Sequence, residues 1–275
     1  MARPAPRAER VLALLEGAAT DAVLEAAAEM AAARRLPLVA LVIEDVQLLA
    51  SAGLPFAREI GPVSGASRPL SAAGVEARMQ EHSERLRGQL EELARRHGIA
   101  AELDVRRGPR AQTVLARLHP ADTLVLRRSH ALERPFALFE RVLAGARCTV
   151  LVSGEHGARR AARGMPMLLI EDEASGGRVV ARAAALTRGR FPRVVLLLAP
   201  GLGQEALRRL VSRLAEEGLG VDTIELPRFG AAAVLQLVRR ERPALLCLAR
   251  DSAVLAGSEG GRLAESEDVP LAVVP

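Results

Sequence analysis

The chain has 275 residues, 49% apolar and 26% charged, enough for about two domains of roughly 150 residues, each able to bury a core. No apolar run approaches the ~18 residues a bilayer span requires, and the basic N-terminus is followed only by Val11 to Leu15 before Glu16, too short for a secretory leader; a membrane protein is excluded and a cytoplasmic location expected. The net charge of +5 comes from 38 basic residues, all arginine, in a chain without tyrosine or tryptophan, which reads as biased composition rather than selection for arginine chemistry.

Residues 1–9 read as a tail and 10–153 as a first α/β domain. Strand-length apolar or alternating runs fall at 11–15, 38–43, 101–105, 123–126 and 148–152, separated by helical patterns. A helix is expected over 20–35, capped by Thr20. Another covers 75–97, with Val75, Met79, Leu86, Leu90 and Leu93 on one face and Glu81/Arg85, Glu91/Arg95 and Glu92/Arg96 spaced for i,i+4 pairing. Gly98 stands where a C-terminal cap belongs. Helices at 109–118 and 136–146 complete the unit. Residues 46–74 lack clear periodicity yet carry Leu48, Leu49, Leu54, Phe56, Ile60 and Val63. They form either a satellite core over the sheet or a contact surface for a partner protein.

The run GEHGARRAARG at 154–164 is polar, basic and bounded by glycine, as a linker is. The second unit, 165–275, repeats the pattern. Strands are expected at 166–171, 193–198, 221–225, 244–248 and 270–274, and helices at 176–188, 203–217, 230–241 and 258–265. Near-continuous apolar strands alternating with amphipathic helices imply parallel sheets covered on both faces. The fold class is therefore α/β: two tandem doubly wound five-stranded parallel-sheet domains, Rossmann-like. Ligands in such folds sit beyond the carboxyl ends of the strands.

The stretch Glu140 to Val152, ERVLAGARCTVLV, resembles the last helix and strand of the universal stress protein family. Val11 to Gly17 resembles that family's first strand with its acidic turn, and Val23 to Asp45 its first helix and second strand. Residues 244–274 repeat the ending more loosely, so the resemblance covers nearly the whole chain as two copies. It implies a regulatory, stress-response binding protein without turnover, its two domains packed as an intramolecular pseudo-dimer through their final strands, with a further homodimer left open. Some family members bind ATP through a loop of the form Gly-x2-Gly-x9-Gly-Ser/Thr after the fourth strand. Here the first-half loop, Arg127 to Phe139, has no glycine, and Phe136 and Ala137 stand where Gly-Ser would. That implies a degenerate site, with Glu16 and Gly108 the positions left to it. The second half keeps Gly257 and Ser258, and Asp172 or Glu171 in place of the family's acidic residue, a partial site for ATP or another nucleotide at most. Gly257 and Ser258 also suit a plain helix start.

Other chemistry has less support. The run PGLGQEA at 200–206, with Glu225 about twenty residues on, has the spacing of a dinucleotide-binding turn. It follows the second strand of its unit, however, with too little chain behind it for a dehydrogenase, and would suit a plain glycine turn. The five histidines, His82, His97, His119, His130 and His156, never fall at metal-ligand spacing, so no metal is expected. Ser258 has no histidine in its own half to serve as base. Arginine clusters at 106/107/110, 127/128 and 159/160/163 lack the aromatic platforms of a nucleic-acid surface and read as solvated. Cys148 and Cys247 read as small buried hydrophobes.

Overall fold

The computed structural model describes residues 9–16, 20–61, 65–127, 136–153, 164–256, 263 and 270–275, with Phe136, Ala137, Phe139 and Ser153 described by backbone alone. The first half runs β1 (Val11–Leu15), α1 (Asp21–Arg34), β2 (Leu38–Glu44), α2 (Val46–Ala52), β3 (Arg58–Ile60), β4 (Ser67–Pro69), α3 (Ala72–His97), β5 (Ala101–Arg107), α4 (Arg110–Arg117), β6 (Thr123–Arg127), α5 (Phe136–Gly145) and β7 (Thr149–Ser153). The second runs β8 (Met167–Ile170), α6 (Glu173–Thr187), β9 (Arg193–Leu198), α7 (Gln204–Glu216), β10 (Gly220–Glu225), α8 (Ala231–Glu241), β11 (Leu246–Ala249) and β12 (Leu271–Val274). The expected strands all form: most are short runs of β-branched and leucine side chains bounded by turn residues, and β5 and β10 alternate apolar with polar side chains.

The two halves share one ten-stranded sheet, ordered β10-β9-β8-β11-β12-β7-β6-β1-β2-β5. Within each half every pairing is parallel; at the centre β12 lies antiparallel to β7, with Leu271, Ala272 and Val273 opposite Val152, Leu151 and Val150. Six buried apolar residues thus meet at the join. The helices cover both faces. α1, α3, α6 and α7 close one apolar layer and α4, α5 and α8 the other, and each layer runs uninterrupted across both halves. α1 packs on α6 across the junction, Arg182 Nη2 donates to Pro120 O at 3.2 Å and Arg250 Nη2 to Cys148 O at 3.0 Å.

Helix ends follow capping chemistry where the cap is made. Ser71 accepts from Gly74 N, so α3 begins three residues before the expected start, and Gly98 closes it at φ 64°. Asp172 likewise moves the start of α6 forward to Glu173. Thr20 does not cap α1: its own backbone is already helical, at φ −86° and ψ −22°, which turns the hydroxyl away from the first amides. The i,i+4 pairs expected on α3 also give way. Arg95 pairs with Glu92 at i,i+3, while Arg96 and His97 reach across to Glu25 on α1. The expected helix at 258–265 lies outside the described residues except for Leu263, which is buried, and most of the 154–164 segment lies outside them too.

Residues 46–71 resolve into α2 and the antiparallel hairpin β3–β4. Among its described residues no satellite core forms, and Val63 lies outside them. Phe56 is 76% exposed and Ile60 71%, Leu48 and Leu54 are also exposed, and Ala52 is the one buried member of α2. A three-residue hairpin and a seven-residue helix have too few inward positions to bury what they carry. Leu151→Ala is accordingly expected to cost about 2–5 kcal/mol in urea denaturation, whereas Phe56→Ala should stay within about 0.5 kcal/mol of the parent chain.

Candidate functional site

Because β7 and β12 are antiparallel, the carboxyl ends of the first-half strands and those of the second-half strands lie on opposite edges of the sheet. Each half therefore presents its own ligand-facing edge. At the first, a cleft of about 540 Å³ opens beyond β1 and β2, within the size range of small-molecule sites. Its floor is the strand ends Leu15 and Val42, its far wall the first half of α3 through Met79, His82, Ser83 and Leu86, and Leu48 of α2 stands at its side. The length of α3 explains that wall. Its 26 residues span about 39 Å against roughly 23 Å for the seven residues of β2, so its leading turns overhang the strand ends.

The cleft is lined by Glu16, Asp21, Glu44 and Asp45. Three of these have close partners: Glu44 accepts from Arg107 Nε at 2.6 Å, Asp45 caps α2 by accepting from Gln47 N at 2.8 Å, and Asp21 accepts from Gln89 Nε2 at 3.3 Å. Glu16 is held more loosely. Arg110 stands 3.7 Å from Glu16 and 3.7 Å from Asp45, outside hydrogen-bond reach of either. Burial pushes the Glu16 carboxyl above its usual range, and Arg110 offsets that in part. Ser83 Oγ, in the α3 wall, is shielded from solvent and has no hydrogen-bond partner among the described residues.

Gly108, the other first-half position, sits beside this cleft rather than in its lining. Its N–H donates to Glu44 O at 3.3 Å. With φ at 152°, a Cβ there would come within 2.7 Å of Thr113 Oγ1, so glycine is required by the turn from β5 into α4. The segment 128–135 lies outside the described residues; Phe136 and Ala137 open α5.

The equivalent position in the second half is occupied by its own chain. Asp172 accepts from Ser175 N at 2.9 Å and from Ser175 Oγ at 2.8 Å, contacts that hold its carboxyl below the usual range. Glu171 accepts from Ala253 N at 3.1 Å, and Arg178 pairs with Asp251. Gly257 and Ser258 lie outside the described residues. Further along the same edge, Pro200, Gly201 and Leu202, the start of α7 and Glu225 line a hollow of about 450 Å³, so Gly201 and Glu225 of the dinucleotide-like spacing meet there, while Gly203 is not in the lining. It sits between β9 and the edge strand β10, away from the crossover between β8 and β11, where the ligand crevice of a doubly wound sheet lies.

Among the described residues no group of His, Cys, Asp and Glu is placed to hold a metal ion, and no helix is long and apolar enough to cross a membrane. Of the arginine clusters, Arg106 is bound to Asp104, Arg107 to Glu44 and Arg110 shared as above. Cys148 and Cys247 are buried in opposite apolar layers, and burial raises their thiols to about 11 and about 12. Sequence reading reached Glu16, and the strand ends it points to hold Asp45 and Arg110, but it missed Asp21, His82 and Ser83 as neighbours. The α3 residues have no local signal, since only the packing angle of α3 brings them over the strand ends.

No protein-family model matches the chain, and no curated protein matches it significantly. Among solved structures it is similar to a universal stress protein from Archaeoglobus fulgidus DSM 4304, with a TM-score of 0.69 and 13% identity over 96% of this chain and 97% of that one. The chain thus has a universal-stress-protein fold, Rossmann-like and in two-unit form.

If Asp172 serves as a helix cap, Asp172→Ala should cost about 1 kcal/mol at neutral pH. A carboxyl whose folded-state value is depressed contributes stability above its unfolded value and loses it as pH falls through the folded one. The gap between variant and parent in thermal denaturation should therefore narrow on acidification below the ordinary aspartate range.

Proposed function

We propose that the protein is a non-catalytic regulatory binding protein of the universal stress kind, acting in stress response by capturing a small ligand in the first-half cleft. The observation that carries this reading is the cleft itself: a half-open, mixed polar and apolar space at the strand ends, with no catalytic pair among its described lining residues. His82 and Ser83 are consecutive on α3, so their side chains diverge and cannot act as base and nucleophile.

In this reading the first half does not hold ATP. A triphosphate would have to lie against four carboxylates, with Arg110 already shared between two of them, and the segment after β6 has no glycine through which backbone amides could approach phosphates. The second half has at most a partial nucleotide site, since Asp172 is committed to Ser175. The exposed apolar segment 46–71 supports a protein-contact role for that insertion, compatible with ligand capture. A second reading, a nucleotide- or dinucleotide-dependent enzyme working from the second half, is favoured by the hollow at Gly201 and Glu225; native mass spectrometry of the purified protein, showing a co-purified nucleotide, would select it.

Calorimetric titration with Mg-ATP is expected to show no binding in the first half. Tight binding that survives Ser258→Ala but is lost in Met79→Trp, which fills the cleft, would overturn the proposal.

A further inference from the structure

We infer that the first-half cleft selects an organic cation: a primary or secondary ammonium group carried on a compact apolar body, with Glu16 as the anchoring carboxylate. The inference rests on the binding reading above and adds the ligand's chemical class.

The charge count of the cleft points this way. Its lining holds four carboxylates against two guanidinium groups and His82. Arg85 is exposed, and Arg110 is half exposed and divided between Glu16 and Asp45 at 3.7 Å from each. Glu44 is neutralised from outside the lining by Arg107, which leaves Glu16 as the least compensated carboxylate among the described residues. Its side chain is only 27% exposed, and burial already penalises its charged form. A partly desolvated carboxylate without a close partner gains more from an arriving cation than a solvated one does, because the attraction acts in a lower effective dielectric.

The rest of the cleft fits the body of such a ligand. Leu15, Val42, Leu48, Met79 and Leu86 supply apolar wall, and Met79 is the adaptable member. Ser83 Oγ has no partner among the described residues and is placed to accept from the same ammonium, which carries several protons to donate.

The test uses three isosteric indole probes: tryptamine as the cation, its neutral alcohol counterpart indole-3-ethanol, and indole-3-propionate as the anion. The protein has no tryptophan or tyrosine, so indole fluorescence anisotropy reports the probe alone. The intact chain should bind tryptamine at least about tenfold more tightly than the alcohol and more tightly still than the carboxylate, with an advantage that shrinks as salt is raised. Glu16→Gln should abolish the preference and Glu16→Asp should keep part of it. Arg110→Ala should strengthen it, a gain that general damage to the fold cannot mimic. Equal or tighter binding of the alcohol or carboxylate, lost in Met79→Phe, which narrows the cleft without adding an indole, would overturn cation selection while leaving the cleft a binding site. Failure of all three probes to bind would overturn it as well, and displacement of bound tryptamine by Mg-ATP would overturn the ATP-free reading of the first half separately.

Discussion

Three facing residue pairs, Leu271 with Val152, Ala272 with Leu151 and Val273 with Val150, make two five-stranded halves into one molecule. β7 and β12 are apolar strands without a charged residue; left as sheet edges, each would invite pairing with another chain. Joined to one another they remove both edges, and the edges that remain are of a different kind. β5 carries Glu102, Asp104, Arg106 and Arg107, and β10 carries Asp222 and Glu225, with the half-exposed pattern that keeps an edge strand soluble. The antiparallel sense of the join sends the ligand-facing ends of the two halves to opposite edges, so no ligand at one set of strand ends can bridge to the other.

The same constraint lets the two halves diverge at equivalent positions. After β1, Glu16 faces a cleft in which, among the described residues, Arg110 is its one ion-pair partner, shared and 3.7 Å away. After β8, Glu171 and Asp172 are taken up by Ala253 N and by the first turn of α6, and Asp251 is drawn to Arg178. A carboxylate bound to backbone amides shapes the chain, whereas one facing an open cleft remains available to a ligand. The difference lies in which amides reach the side chain, not in residue type.

Arginine bias in the composition has a structural counterpart. Among the described residues many guanidinium groups are tied to neighbouring carboxylates: Arg10 to the buried Asp122, Arg106 and Arg117 to Asp104, Arg193 to Asp222, Arg209 to Glu173 and Glu205. Around the cleft the local balance is opposite in sign to that of the whole chain, and the local one governs a ligand held within a Debye length.

Strand positions, the alternation of helix and strand, the tandem α/β class and the place of Glu16 directly after the first strand were legible in the chain alone, because runs such as VLALL and LCLA carry their burial in their own composition and need no distant partner to declare it. The exposure of Phe56 and Ile60, the failure of Thr20 to cap and the meeting of Glu16 with Arg110, His82 and Ser83 were not. These depend on where α3 crosses the strand ends and on how few inward positions the short elements between 46 and 71 possess. Local pattern settles what each segment becomes, since backbone hydrogen bonding and side-chain burial act over a few residues. Which segments meet, and which charges are left without a partner when they do, is settled only when the sheet closes at β7 and β12.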